Sequence, residues 1–316
     1  MTRLFCFLLL VALPLSSWAQ AYPSKPVRII VPYATGGMTD TLGRLIAPRL
    51  TDRWKQTAIV ENRAGGGTII GTDAASKAAP DGHTLLLTSF GYTTNQILIA
   101  SLPYDPASLQ PQVLVGTAPS MLFVHPGIPA KTVKEVIEYA RSRPRQMMFA
   151  SSGNASSPHI AAELFASMAG IEITHVPYKG TGPAMIDLLG GQVHAIFDNI
   201  SSMTYAKAGK LRPIAVAHKT RLIGAPEVPT VAESGLPNFT AASWFGFFLQ
   251  ARAPSEIAQK AYADLRAVVE APEMRERLIQ AGLEPAALSR EEFSAFLKSE
   301  LDKWGAIIRA RNIRLD

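Results

Sequence analysis

Short apolar runs alternate along this chain with longer stretches whose apolar positions recur every three or four residues, and glycine or small hydroxylic clusters mark the joins. The first complete unit spans residues 28–50. Ile29, Ile30 and Val31 form a β-branched run, Gly36 and Gly37 a turn, and Leu42, Leu45 and Ile46 fall at helical spacing, which predicts strand, glycine turn and helix. Pro48 is expected to kink or shorten that helix. The plan recurs over residues 146–170: a strand over 147–150, a loop of Ser151, Ser152, Gly153, Asn154, Ser156 and Ser157, and a helix over 160–168 entered through Pro158.

Around these units the pattern predicts a strand over 58–61, the loop Asn62-Arg63-Ala64-Gly65-Gly66-Gly67 with a helix after it, a strand over 83–88 and a polar turn over 89–94. The apolar run 121–124 leads to His125-Pro126-Gly127, an expected crossing between domains. From Ala130 the alternation restarts, with a helix over 133–141, a strand over 173–176, a turn over 177–183, a helix over 184–189, and strands over 194–197 and 213–217. A proline-rich connection over 225–237 precedes an aromatic strand over 244–249 that is expected to return to the first domain, and helices over 255–270, 272–281 and 290–310 finish the chain. Strand and helix in alternation predict an α/β fold with mainly parallel sheets. One doubly wound domain can hold this pattern, but the restart and the late strand favour two: 22–123 with 244–316, and 124–243.

Composition narrows the class. Residues 1–21 carry Arg3, the apolar run 4–13 and small residues ending Ala19-Gln20-Ala21, which reads as a secretory signal peptide cleaved after Ala21, with the rest of the chain outside the cytoplasm. The one cysteine, Cys6, lies inside that run, so the remainder has neither a disulfide nor a thiolate to work with. A formal charge of +6 is modest for 316 residues. Its clusters, at Arg141, Arg143 and Arg145 and along the last helix, lack interleaved aromatics and read as solvated faces rather than a nucleic-acid surface.

The chemistry in the pattern is that of backbone donors. The first N–H groups of a helix lack internal partners and the dipole is positive there, so both loop-to-helix units offer donors to an anion. One helix terminus contributes at most about 2 kcal/mol, whereas micromolar capture takes about 8, so the expectation is that two loops, one per domain, close on one small anion. The candidates are Tyr33, Ala34, Gly36, Gly37 and Asp40 in the first loop, and Ser89 beyond the third strand. Ser152, Gly153, Asn154, Ser156, Ser157 and His159 follow in the second loop, then Tyr178, Lys179 and Asp198 at later strand ends. Tyr33 and Tyr178 would wall the pocket, Lys179 would offset ligand charge or be solvated, and Asp198 would accept from a ligand amine or hydroxyl. The triple glycine lacks a dinucleotide fingerprint because position 70 is Ile70. No Gly-x-Ser-x-Gly elbow occurs and no histidines fall at metal-ligand spacing, so neither a serine hydrolase nor a metal site is expected, and no cofactor is implied.

The residues that carry a family resemblance are Tyr22-Pro-Ser-Lys-Pro-Val-Arg-Ile-Ile-Val-Pro-Tyr, Gly36-Gly37 with Asp40 and Arg44, Val60-Glu-Asn-Arg, Pro80-Asp-Gly, Pro103-Tyr-Asp-Pro, Ser152-Gly153 with His159, Val176-Pro-Tyr-Lys-Gly, Gly190-Gly-Gln-Val and Pro226 to Gly235. In these the chain resembles the extracytoplasmic solute receptors of tripartite tricarboxylate transporters, the Bug or TctC-type proteins. The resemblance implies a type II periplasmic binding protein with two lobes hinged around a carboxylate, held through backbone groups and waters. It also implies partnership with large and small membrane permease subunits, no catalysis, and action as a monomer. Thr35 and Ala155 depart from the family's usual proline and glycine. Two other classes share the pattern: a receptor signalling to a sensor kinase, and an exported α/β hydrolase using Ser151 or Ser152 with His159.

Overall fold

The computed structural model describes residues 22–310 and 312–314, so the expected signal peptide lies outside the described residues. In chain order the elements are β1 (Val27–Val31), α1 (Met38–Trp54), β2 (Ala58–Asn62), α2 (Ile69–Ser76), β3 (Thr84–Ser89), α3 (Gly91–Leu98) and β4 (Leu109–Pro119). There follow β5 (Met121–Val124), α4 (Val133–Arg141), β6 (Met148–Ser151), α5 (Ser157–Ala169), β7 (Thr174–Pro177), α6 (Thr181–Leu189), β8 (Ala195–Asp198), α7 (Met203–Lys207) and β9 (Arg212–Val216). The chain ends with β10 (Ala242–Gln250), α8 (Ser255–Glu270), α9 (Pro272–Gln280), β11 (Glu284–Leu288) and α10 (Arg290–Ala310).

Among the described residues the strands form two sheets, in the orders β11-β4-β10-β3-β1-β2 and β7-β6-β8-β5-β9. Both are mixed rather than mainly parallel. β1 runs parallel to β2 and β3, and β6 to β7 and β8, across helical connections. β10 is antiparallel to β3 and β4, β11 to β4, and β5 to β8 and β9. Of the reversed strands, β5 and β10 enter their sheets from the partner lobe instead of over a helix, whereas β11 follows α8 and α9 of its own lobe. The ends of β1, β3, β6 and β8 that follow the chain direction open toward the crevice between the sheets, the usual ligand face of open α/β sheets.

The first crossing is at Ser120, not at His125-Pro126-Gly127, because Met121–Val124 pairs inside the second sheet. The return is also earlier than expected, since Ala242 and Ser243 already pair with Pro119 and Ala118. The crossing strands are tied to each other: Ser120 N–H donates to the Ala241 carbonyl (3.0 Å), Ala217 N–H to the Ser120 carbonyl (2.7 Å) and Ala241 N–H to the Ala217 carbonyl (2.9 Å).

Three other expectations change. α1 continues through Pro48, held on the sheet by buried Leu42, Ile46 and Leu50 on either side of it. Residues 91–98 form a helix where a turn is expected, and the hydroxyls of Thr93 and Thr94 bond back to the Phe90 carbonyl at 2.8 and 3.2 Å. β4 and β11 escape the periodicity. In β4, Pro111 and Gly116 break the alternation, and two register shifts against β10 absorb the break as bulges.

The N-terminal and C-terminal parts of the first lobe are clamped by Asp264 of α8, which is 3% exposed. Its carboxylate accepts from Trp54 Nε1 of α1 at 2.7 Å, from Lys260 Nζ at 2.8 Å, and from Arg53 Nε. Burial pushes this carboxyl up, but those donors outweigh it and hold it below the usual range. Asp264→Ala strands the buried Trp54 N–H and is expected to cost about 2 to 4 kcal/mol of stability at pH 7, with the half-exposed cations adding little. A group depressed in the folded state contributes above its unfolded pKa and loses that contribution as pH falls through its folded value. The part of the gap between wild type and variant that depends on the ionised carboxylate should therefore narrow as pH falls below about 4 in urea melts, the stranded Trp54 N–H accounting for what remains; a gap that does not change between pH 7 and acid would show that the charge on Asp264 contributes nothing.

Candidate functional site

The first loop runs from β1 to α1. Gly36 adopts φ +87°, a left-handed conformation suited to glycine, and its N–H donates to Asp40 Oδ2 at 3.0 Å. Arg44 Nε lies 3.0 and 3.1 Å from the two oxygens of the same carboxylate. Burial raises the Asp40 carboxyl, but Arg44, the Gly36 amide and Asn62 together hold it below its ordinary value. Asp40 therefore staples the turn and does not line the cavity, and Gly36 spends its amide internally. The remaining start of α1, at Gly37, Met38 and Thr39, lines a cavity between the lobes.

The second loop joins β6 to α5. Ser151 Oγ accepts from Gly153 N–H (3.1 Å) and meets His175 Nε2 at 2.6 Å. Ala155 is left-handed at φ +60°, a conformation costing a non-glycine residue about 1 kcal/mol. It is held there by its N–H on His159 Nδ1 (3.1 Å) and by its carbonyl, which accepts from Thr94 Oγ1 of the other lobe. His159 is fully buried and stacks on His175 at 3.7 Å. Burial first, and His175 second, push it down to about 3, so it is neutral with its proton on Nε2. It orients the loop from behind and makes no hydrogen bond to Ser151 or Ser152.

The two loops meet along a seam of small residues. Ala34 N–H donates to the Lys179 carbonyl at 2.7 Å. A Cβ built on Gly37 would lie 3.5 Å from Thr181 N, one on Gly67 2.7 Å from the Asn154 carbonyl oxygen, and one on Gly182 would overlap the Thr35 carbonyl oxygen. Backbone thus packs on backbone, and the lobes enclose a cavity of about 40 Å³, room for roughly three waters at ~10 to 15 Å³ each.

Of the candidates, the structure brings Tyr33, Gly37, Ser89, Ser152, Ser156, Ser157 and Asp198 together around this cavity. Gly36 lines an adjoining groove with Asp198. Gly153, Asn154, Tyr178 and Lys179 line a separate cleft on the other side, which shares only Ser152 with the cavity. Lys179 is exposed there, and Tyr178 donates to Asp187 Oδ2 at 2.6 Å, which with burial pushes its phenol up to about 12. Ala34 takes part through the seam.

Sequence reasoning missed Met38, Thr39, Ser120, Pro158, Thr181, Phe197, Ser243 and Phe245 as lining residues. The helix starts at residues 38 and 181 could have been found from the turn signals; Ser120 and Ser243 reach the cavity only because the crossing strands pass beneath it.

The lining carries eight Ser or Thr hydroxyls, at Thr39, Ser89, Ser120, Ser152, Ser156, Ser157, Thr181 and Ser243, and no Lys, Arg or His. Ser156 Oγ is buried with no protein partner. Asp198 is the one carboxylate in the lining; burial raises it, against Ser202 Oγ (2.6 Å) and Asn199 Nδ2 (3.2 Å), which donate to it. Among the described residues no group of three or more His, Cys, Asp or Glu is placed to hold a metal ion.

A family model described as tripartite tricarboxylate transporter family receptor matches residues 42–313. Protein BugT of Bordetella pertussis is 33% identical over 309 residues, 96% of this chain and 94% of that protein. Among solved structures, R. palustris Rpa4515 with adipate aligns at TM-score 0.89 and 33% identity over 93% of this chain and 99% of that one. MatC from Rhodopseudomonas palustris with bound malate aligns at 0.85 and 29% identity over 91% and 100%.

The seam yields a direct test. Gly182→Ala places a methyl on the Thr35 carbonyl and is expected to hold the lobes apart, which small-angle scattering would record as a larger radius of gyration with unchanged circular dichroism. Superposable scattering curves for the two proteins would show that the contact between α6 and the first loop does not limit closure.

Proposed function

The chain belongs to the tripartite tricarboxylate transporter receptor family, and from that premise we propose that it is a periplasmic solute-binding protein. It captures a small carboxylate between its lobes and delivers it to separate membrane permease subunits. The observation that carries this reading is the convergence of two helix starts, α1 from one sheet and α5 from the other, on one hydroxyl-lined cavity without a basic side chain. Rpa4515 and MatC, at 33% and 29% identity, have adipate and malate bound.

The energetics are sufficient. Two helix termini supply at most about 4 kcal/mol together, and each charge-assisted hydrogen bond from Ser156, Ser157 or a first-turn amide adds about 1.5 to 3. That reaches the 8 or so that micromolar binding takes.

The lobes are residues 22–119 with 242–314, and 121–217 with the connection that follows, and they hinge where Ser120, Ala217 and Ala241 bond to each other. Residues 1–21 serve export. No helix among the described residues is long and apolar enough to cross a membrane. Binding rather than hydrolysis is supported by the buried, neutral His159, whose Nδ1 is committed to the Ala155 amide. Ser151, the serine within reach of a histidine, is itself fully buried.

Thermal melting of the mature chain tests the reading. A bound carboxylate at a hundredfold its Kd stabilises by about 2.7 kcal/mol, which at this size raises Tm by roughly 5 °C, while neutral sugars leave it unchanged. Gly37→Val, which thrusts a branched side chain at Thr181, should abolish the carboxylate shift with the ligand-free Tm retained. Shifts from sugars but from no mono-, di- or tricarboxylate would overturn the proposal.

A further inference from the structure

The enclosed cavity adjoins a larger groove. Gly37, Met38, Thr181, Asp198 and Asn199 line both it and a groove of about 380 Å³ on the same side. Beyond those five residues the groove's large side chains are the apolar Met185, Ile186, Leu189 and Tyr205, with Thr41, Ser201 and Ser202 the hydroxyls beside them; Ile186 and Tyr205 are 71% and 37% exposed. The cleft that holds Lys179 shares only Ser152 with the cavity. No Lys, Arg or His lines either the cavity or the groove, and the single carboxylate in both is Asp198, which is 8% exposed.

Asp198 sits at the end of β8, with Oδ1 accepting from Asn199 Nδ2 and Oδ2 from Ser202 Oγ. A carboxylate has about four acceptor sites on its two oxygens, so two donors leave it capacity for a third. Burial raises this carboxyl, and no cation lines the space to offset it. A ligand group that donates a hydrogen bond there is favoured, and a second ligand carboxylate passing the same point meets a like charge with nothing basic beyond it.

Resting on the reading that α1 and α5 hold a carboxylate, we propose that the preferred ligand is a monocarboxylate with a hydroxyl or amine beside the carboxyl and an apolar tail. Asp198 accepts from that donor, and the tail leaves between Met38 and Thr181 onto the Met185, Ile186, Leu189 and Tyr205 surface. The small cavity takes the head group and the groove takes the tail. Asp198 is thus the residue that sets specificity, selecting for the donor and against a second anion.

Titration calorimetry on the mature chain with a matched series tests this: 4-methylpentanoate, 2-hydroxy-4-methylpentanoate, leucine, succinate, malate and adipate. The expected result is that the hydroxy acid or leucine binds at least tenfold more tightly than 4-methylpentanoate and more tightly than all three dicarboxylates; which of the two leads tells whether the donor is a hydroxyl or an ammonium. Asp198→Asn should shrink the advantage of the donor to less than threefold, and the wild-type ranking stands as a test even if that variant does not fold. A dicarboxylate binding most tightly, or equal Kd values for 4-methylpentanoate and its 2-hydroxy and 2-amino analogues, would overturn the inference while leaving the receptor reading intact. Absence of binding by any carboxylate would overturn the receptor reading itself.

Discussion

The backbone amides that begin α1 and α5 have no carbonyl of their own helix to bond, and the fold sets both helix starts on one small cavity. Much of the architecture serves that convergence. Each helix follows a parallel strand, β1 or β6, and each strand ends on the inner side of its sheet, so the two starts can meet only if the sheets face each other across the crossings. The crossings supply that arrangement: the paired strands at Ser120 and Ala241 are bonded to each other and to Ala217.

Close approach of two backbones requires that side chains be absent where they meet. Gly67 and Gly182 meet Asn154 and Thr35 of the opposite lobe at distances that leave no room for a Cβ, and at Gly37 a Cβ would just touch Thr181. The loops themselves are held from outside the cavity, the first by the Asp40 carboxylate on the Gly36 amide and Arg44, the second by His159 on the Ala155 amide. These groups are engaged in fixing backbone, and neither Asp40, Arg44 nor His159 lines the cavity. What lines it is hydroxyls, amides and one carboxylate. Oriented dipoles of fixed geometry need no flexible cationic side chain to be ordered on binding, which is the physical basis of the anion site proposed above.

The three apolar clusters follow the same logic. One packs α1 and α8 on the outer face of the first sheet, one lies beneath the far face of the second, and the third runs from Phe90, Phe248 and Trp304 through Phe149, Phe165 and Phe197 to Phe239. The last reaches from one lobe to the other. Phe239 stands next to the return crossing and packs on Phe165 and Phe197, so the connection is anchored in the second lobe right up to the hinge.

Local signals alone placed the strands and helices that have clear periods, the glycine and serine loops after β1 and β6, and the two-lobe reading, because each depends on residues within one or two turns of each other. They misplaced residues 91–98 and passed over β4 and β11. Thr93, Thr94 and Asn95 are buried polar residues whose partners lie within their own helix or across it, and β4 is held straight by neighbours on both sides despite Pro111 and Gly116. The same limit governs the site. Tyr33, Gly37, Ser152, Ser156 and Ser157 were legible because a strand-to-helix turn exposes them by rule, whereas Ser120, Ser243 and Phe245 join them through pairings more than a hundred residues apart in sequence. Asp40 and His159 look alike in sequence to ligand groups, and only the structure shows the Asp40 carboxylate on the Gly36 amide and Arg44, and His159 Nδ1 on the Ala155 amide. A chain can announce where its donors are; which of them stay unspent is decided by what packs around them.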